Sequence, residues 1–452
     1  MFRRVLVANR GEIAVRVIRS LRELGIGAVA VHSEVEADAL HVRLADEAVC
    51  LGPGPVAESY LRIDAVIEAA RTTGADAIHP GYGLLAENPG LVAACREAGI
   101  VFIGPNESAM ASMGSKVAAR NLMSTAGVPV VPGSLEAVRD LDHGLVLAED
   151  IGYPIAVKAS GAGGGKGFRV ATGPESLEAA LEGASGEGER FFGDPTVYLE
   201  RYLDDPRHVE VQVLADTHGN VVHLFERDCS VQRRHQKLVE EAPAPQVSDE
   251  LRERIGAIAV GAARAVGYTS AGTIEGLLDG DEFYFLEMNT RIQVEHCVTE
   301  MITGVDIVAE QIRIAAGEPL SFTQSDLTVN GHAIECRINA ENAAKNFLPA
   351  PGAIESYVEP TGVGIRVDSG IEKGSQVLPY YDPMLAKLVV WGADREQATA
   401  AMSAALADFE ITGVKTLLPF HRALLGTRQW AAAETCRDLV EDRSWLRGTA
   451  DA

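Results

Sequence analysis

Apolar and amphipathic stretches alternate from the first residues of the chain. FRRVLVAN (2–9) reads as a buried strand, GEIAVRVIRSLREL (11–24) as a helix with one apolar face, and GIGAVAVHS (25–33) as a second strand. That is a βαβ unit. YLRIDAVIEAARTTG (60–74), ADAIHPGYG (75–83), NPGLVAACREAG (88–99) and IVFIGP (100–105) repeat the alternation, which predicts a doubly wound α/β layer at the N-terminus. A second module begins near Ser115. From about Val130 to Leu203 a helix and strand pattern is interrupted by a glycine-rich loop, and from Val209 to about Asp281 strands alternate with a long helix. The tail from about Val329 carries short strands (HAIECRINAE, GIRVDSG, LAKLVVWG) and the helical run REQATAAMSAALADF, which predicts a separate α+β cap. The fold class is therefore α/β combined with α+β.

Composition narrows the function classes. A chain of 452 residues that is 47% hydrophobic buries a large core and divides into about two or three domains. Its net charge of −24, from 64 acidic against 40 basic residues, argues against nucleic acid as a partner, because that affinity rests on phosphate neutralisation by Lys and Arg. The six cysteines (Cys50, Cys95, Cys229, Cys297, Cys336, Cys436) are scattered, which fits neither a disulfide framework nor a zinc site and points to a reducing, cytoplasmic compartment. The opening MFRRVLVANRGEIA is no signal peptide, and no run of about 18 uncharged apolar residues offers a membrane span.

Candidate chemistry lies in three places. KASGAGGGKGFRV (158–170) follows a strand-like run and carries Gly161, Gly163, Gly164, Gly165 and Gly167; backbone amides in such a loop close on an anion, with Lys158 and Lys166 adding charge for a polyphosphate. It is not a Walker A loop, and a plain surface turn has the same composition. In TIEGLLDGDEFYFLEMN (273–289) the turn DGDE separates two apolar strands, and a three-residue loop centred on residue 281 would set Glu275 opposite Glu287. Like charges across a ladder need something positive between them, and a Mg²⁺ holding nucleotide phosphates answers that, although two glutamates on a wet face would look the same. If EMNTRIQVEH continues extended, Glu287, Asn289, Arg291, Gln293 and Glu295 share one face, which is either an anion and base site or an ion-pair ladder. The third place, RDCSVQRRHQKLVEEAPAP (227–245), is a cationic knot in an acidic protein and suits either an anionic ligand or a solvated basic turn.

Taken together, ANRGEIAVRVIR (8–19), HPGYGLLAEN (79–88), MGSKVAAR (113–120), the glycine-rich loop, RDCSVQRRHQKLVEEAPAP, EMNTRIQVEHCVTEMITG (287–304), ECRINAE (335–341) and FLPAPG (347–352) resemble the biotin carboxylase family of the ATP-grasp superfamily over almost the whole chain. The resemblance implies an ATP-grasp fold: an N-terminal α/β domain at 1–114, an ATP-grasp domain at 115–328 with a lid at about 131–203, and a C-terminal domain at 329–447. It implies carboxylation of biotin by ATP and bicarbonate through carboxyphosphate, with Mg²⁺ or Mn²⁺.

On matching positions, the resemblance places ATP at Lys116, Lys158, Gly163, Gly164, Gly165, Lys166, Gly167, Phe168, Glu200, Arg201, Leu203, His208, Gln232, His235 and Leu277. The metal falls to Glu275, Glu287 and Asn289, and bicarbonate to Lys237, Arg291, Gln293, Val294 and Glu295, with Glu295 as base. Arg337 stabilises the biotin enolate and Tyr82 lies near the biotin pocket, so that Arg291, Glu295, Arg337 and Lys237 form the catalytic set. Ala162, Lys166, Phe168, Arg201 and Cys297 depart from the common family pattern without removing a chemical group. No Met-Lys-Met sequence is present, so biotin is expected on a biotin carboxyl carrier protein or in another part of a longer polypeptide. A homodimer working with a carboxyltransferase is the expected assembly. The competing readings are another ATP-grasp ligase acting through an acyl-phosphate and a non-catalytic ATP-binding protein; bicarbonate-dependent phosphate release separates them.

Overall fold

The computed structural model describes residues 1–114, 116–134, 136–163, 166–234, 236–442 and 444–446, with backbone alone for 116, 117, 161–163, 166, 192 and 444. Strands β1 (Arg4–Val7), β2 (Gly27–Ser33), β3 (Glu47–Gly52), β4 (Ala77–His79) and β5 (Val101–Phe102) make a parallel sheet in the order β3-β2-β1-β4-β5. Helix α1 (Gly11–Glu23) buries Ile13, Ala14, Val17, Ile18 and Leu21, one stripe at helical spacing, against one face of that sheet. The strand order reverses between β1 and β4, which opens a crevice beyond their carboxyl ends. There Asn9 Nδ2 donates to the carbonyls of Pro80 and Tyr82, both at 2.7 Å, and ties the two loops together. Gly81 sits at φ +62° with Asn9 Nδ2 only 2.9 Å from where a Cβ would stand, so this turn requires glycine.

A small three-stranded antiparallel sheet, in the order β7-β6-β8, is built from β6 (Ile155–Gly163), β7 (Lys166–Ala171) and β8 (Val197–Arg201). Helices α2 (Leu141–Ile151) and α3 (Pro174–Phe192) accompany it around a core of its own, with Ala148, Ile155, Val157, Leu177, Ala184 and Leu199 at its centre.

The largest layer is an eight-stranded antiparallel sheet. It comprises β9 (Arg207–Ala215), β10 (Val221–Arg233), β11 (Gln236–Ala242), β12 (Ser270–Asp279), β13 (Glu282–Asn289), β14 (His332–Asn339), β15 (Ile365–Ser369) and β16 (Met384–Gly392), in the order β13-β12-β9-β10-β11-β14-β16-β15. The tail is α+β, as expected, and its longer strands join this sheet. All eight residues of β14 are buried, so it needs a partner on each side, and it takes β11 (Glu240↔Glu335, Ala242↔Ala333) and β16 (Arg337↔Lys387). The tail therefore continues the central sheet. Helix α4 (Asp249–Ala265) packs its buried Leu251, Ile255 and Ala259 with Val209, Val211 and Val213 of β9. Helix α5 (His296–Thr303) lies across the other face through Cys297, Val298 and Ile302, with Ala242, Ala333 and Val389 beneath it. All six cysteines are unpaired, and among the described residues no helix is long and apolar enough to cross a membrane.

Candidate active site

One cross-strand row organises the site. Glu287 on β13 faces Glu275 on β12, Glu275 faces Glu210 on β9, and Glu210 faces Arg227 on β10. The pairing of Glu275 with Glu287 is the one expected, but the geometry that produces it differs. The turn holds only Gly280 and Asp281, with Asp279↔Glu282 closing it, and a register shift between Gly276↔Phe285 and Glu275↔Glu287 supplies the missing residue.

Three adjacent carboxylates on neighbouring strands are tolerable only with cations among them. Arg227 is completely buried; its guanidinium donates to Glu210 Oε1 at 2.6 Å, Gln212 Oε1 at 2.8 Å and the hydroxyls of Thr299 and Thr273 at 2.9 and 3.2 Å. Lys237 Nζ donates to Glu210, to Glu275 Oε1 at 2.9 Å, to Gln293 Oε1 at 3.1 Å and to Glu295 Oε1 at 2.6 Å. Burial opposes its charge, but Glu210, Glu275 and Glu295 outweigh that and hold Lys237 well above the usual ammonium range. Burial likewise opposes the charges of Glu275 and Glu295. Lys237 and His208 keep Glu275 well below the carboxylate range, and Lys237, Arg337 and Arg227 do the same for Glu295. Arg337 bridges Glu295 Oε2 at 2.8 Å and Glu240 Oε1 at 2.5 Å, and burial pushes Glu240 up to about 7 in spite of it.

The run after Glu287 is not extended throughout, which corrects the single-face expectation. β13 ends at Asn289; the chain then turns, and Glu295 takes the N-cap position of α5 with φ −82° and ψ 11°. Convergence comes from this turn. Asn289 Nδ2 and Gln293 Nε2 both donate to Glu275 Oε1 at 2.8 Å, while Arg291 Nη2 donates to Asn289 Oδ1 at 2.8 Å and its Nε to Glu87 Oε2 at 2.9 Å. Val294 is half-buried between Gln293 and Glu295.

Residues 130–133 link the two sheets through short bridges, Val130↔Phe285 on β13 and Gly133↔Glu200 on β8, which bring β8 beside the β12–β13 hairpin. Lys158 pairs with Glu200, whose other oxygen lies 3.1 Å from Arg120 Nε. Arg201 Nη2 donates to the Tyr284 hydroxyl at 2.7 Å, half-buried Phe168 faces Lys158 across β6 and β7, and Gly167 N donates to Glu187 Oε2 at 2.7 Å. Leu203 and Leu277 are half-buried, and Leu277 lies in register with His208. His208 Nε2 stands 3.0 Å from Glu275 Oε2, so it faces the carboxylate row, whereas Gln232 Nε2 turns back to the Cys229 carbonyl at 2.7 Å. Gly163 pairs with Lys166 through the backbone at the hairpin end; Gly164, Gly165 and His235, with the side chains of Lys116 and Lys166, lie outside the described residues. Tyr82 stands apart from the carboxylate row, its hydroxyl donating to Glu12.

The facing carboxylates of Glu275 and Glu287 fit a hard divalent cation, and Asn289 stands beside them with its amide nitrogen on Glu275 and its oxygen on Arg291, so it adds an oxygen only on turning over. Residues 1–110 match the family described as "Biotin carboxylase, N-terminal domain", residues 115–323 "Carbamoyl-phosphate synthase L chain, ATP binding domain", and residues 335–442 "Biotin carboxylase C-terminal domain". A biotin carboxylase of Haemophilus influenzae is 54% identical over 426 residues, covering 94% of this chain and 95% of its own. The chain belongs to the biotin carboxylase family. Biotin carboxylase 1 of Bacillus subtilis is 52% identical over 436 residues, 96% of this chain and 97% of its own. The crystal structure of the biotin carboxylase domain dimer of Hydrogenobacter thermophilus 2-oxoglutarate carboxylase, in complex with MgADP, ADP and bicarbonate, is 48% identical and superposes with a TM-score of 0.92 over 99% of both chains.

Against the biotin carboxylase pattern, sequence reasoning left out Glu210, Glu240 and Glu87, which hold the selected Lys237, Arg337 and Arg291, and Arg227, which in turn holds Glu210. The signal for Glu210 and Arg227 was present: His208, Glu210 and Gln212 alternate with valines in one strand, and Arg227 sits in the next.

A further group supports Arg337 from behind. His421 is fully buried, its Nε2 lies 2.8 Å from the Arg337 carbonyl oxygen, and burial lowers it from 6.5 to about 4. Between those two pH values the unfolded chain binds a proton that the folded chain refuses, so the stability present above pH 6.5 is lost as pH falls towards 4. Replacing His421 with Gln keeps a donor and removes the titration. Denaturant midpoints are expected to fall more steeply in wild type than in the variant across that window, by on the order of 3 kcal/mol; parallel curves would rule out a neutral His421.

Proposed function

We propose that this chain carboxylates biotin with ATP and bicarbonate through carboxyphosphate, and that Lys237, Arg291, Glu295 and Arg337 carry the reaction. The observation that carries this reading is the continuous chain of charge from Glu275 through Lys237 and Glu295 to Arg337, every link between 2.6 and 2.9 Å. It joins the metal carboxylate of Glu275, the base and the biotin-side arginine in one buried unit.

Lys158, with Gly163, Gly164, Gly165, Lys166 and Gly167 on the lid, closes over the phosphates together with Lys116, while Glu200, Arg201, Leu203, Phe168 and Leu277 frame the adenine. His208, Gln232 and His235 approach the ribose and phosphates. Glu275, Glu287 and Asn289 hold Mg²⁺ or Mn²⁺, which when bound neutralises charge on the phosphates. Bicarbonate lies against Lys237, Arg291, Gln293 and Val294.

A carboxylate as stabilised as Glu295 is a poor base while both its cations grip it. Substrate changes that: the bicarbonate anion draws Lys237, biotin draws Arg337, and Glu295 regains basicity as they turn away. Deprotonated bicarbonate attacks the γ-phosphorus, ADP leaves, and carboxyphosphate breaks down to CO₂ and phosphate inside the closed site. Phosphate takes the proton from biotin N1, the ureido oxygen gains negative charge against Arg337, and N1 attacks CO₂. Tyr82 lines the biotin side at the crevice between β1 and β4. The same reading has a lid at about 131–203 between domains at 1–114, 115–328 and 329–447. It also has biotin presented by a carrier protein, a homodimer working with a carboxyltransferase, and a cytoplasmic setting.

Replacing Arg337 with Met is expected to lower carboxylation of free biotin about a hundredfold or more while the slower bicarbonate-dependent ATPase without biotin changes much less. Equal loss in both assays would move Arg337 to the ATP or bicarbonate step. The more conservative Arg337→Lys serves if the Met variant does not fold.

A further inference from the structure

Lys387 has no role in the reaction as described, yet it touches the site from behind. It lies on β16 with no exposed surface, directly across from Arg337 on β14 and Asp368 on β15. Its Nζ donates to the Val294 carbonyl at 2.9 Å, stands 3.1 Å from Glu12 Oε2 and is 3.9 Å from Asp368 Oδ2. Asp368 is already engaged by Arg366 Nη2 at 2.6 Å and by the Cys297 thiol at 3.2 Å, which leaves Glu12 and the Val294 oxygen as the close partners of the ammonium. Burial opposes a charge here, but Cys297, Glu12, Glu335 and Asp368 outweigh it and keep Lys387 protonated.

Glu12 belongs to the first turn of α1, and its Oε1 accepts the hydroxyl of Tyr82, which also lies 3.7 Å from Met384 Sδ. Three parts of the chain distant in sequence therefore meet at one ammonium: the N-terminal crevice through Glu12 and Tyr82, the C-terminal strands through Lys387, and the turn before α5 through the Val294 carbonyl. That turn sets Gln293 and Glu295, both bonded to Lys237. A backbone carbonyl held by a buried cation has no water to exchange with, so its orientation is fixed as firmly as the cation is.

We propose that Lys387 and Glu12 are positioning residues that hold the Gln293–Glu295 turn in its bicarbonate-binding form and link it, through the Tyr82 hydroxyl, to the biotin crevice. This rests on the bicarbonate and biotin assignments made above. Neither residue touches substrate. Both act through the Val294 carbonyl and the groups on either side of it, so removing either loosens the anion site first, whereas Lys158 and Glu200 on β6 and β8 bond to each other and to Arg120 and not to that turn.

The test is a split in Michaelis constants measured by ADP release. For Lys387→Met the KM for bicarbonate is expected to rise about tenfold or more, the loss of one charge-assisted hydrogen bond, while the KM for Mg-ATP stays within about twofold. Lys387→Arg should recover part of the loss. Glu12→Gln, which keeps shape and one hydrogen bond, should raise the bicarbonate KM in the same direction by a smaller factor, and it decides the matter if Lys387→Met does not fold. An unchanged bicarbonate KM in folded Glu12→Gln, or equal rises for ATP and bicarbonate in any folded variant, overturns the proposal. Wild-type ADP release that is itself indifferent to bicarbonate would instead overturn the functional reading beneath it.

Discussion

Replacing Glu295 with glutamine is expected to reduce bicarbonate-dependent ADP release about a thousandfold while leaving Mg-ATP binding within about twofold. The substitution keeps the volume and one acceptor but removes the charge that Lys237 and Arg337 share at 2.6 and 2.8 Å. Lys237 retains Glu210 and Glu275, and Arg337 retains Glu240, so the buried cations stay compensated and the protein stays folded. The nucleotide contacts at Lys158 and Glu200 lie on another sheet, which is why binding is spared. Stopped turnover with intact binding of Mg-ATP, read by quench kinetics and calorimetry on one preparation, is the expected pair of results. Near-normal turnover would place the base elsewhere.

The second large effect is on stability. Arg227→Met removes a fully buried cation from the end of the carboxylate row and leaves Glu210 with Lys237 as its remaining cationic partner. Breaking a buried pair on one side costs about 3 to 5 kcal/mol, because the surviving charge has lost its solvation and its partner together. The urea midpoint at neutral pH should fall accordingly, and the double variant Arg227→Met with Glu210→Gln should recover part of the loss. A drop under about 1 kcal/mol would mean that Lys237 alone carries the row.

Much of this was legible in the sequence. The βαβ alternation of residues 2–33 became the parallel sheet because each strand is a short apolar run and the helix between them has one apolar stripe. The facing of Glu275 and Glu287 was legible from the distance of each to the turn, yet the sequence hid a bulge at Leu286 that replaces the third loop residue. Alternation beyond Asn289 misled. Every second residue was polar, but the turn at 290–295 gathers those side chains by curvature and not by pleat. What stayed invisible was pairing over long separations. Nothing local in ECRINAE says that Glu335 will face Glu240 or that Arg337 will reach Glu295, because those contacts depend on which strand edge β14 finds. Lys387 was passed over for the same reason. LAKLVVWG reads as a plain buried strand until its neighbours are known.

The most direct test is ADP release by the purified chain with Mg-ATP, measured with bicarbonate alone, with bicarbonate and free biotin, and with bicarbonate withheld. A rate that requires bicarbonate and rises on adding biotin is the predicted result; ADP release that ignores both would contradict biotin carboxylation.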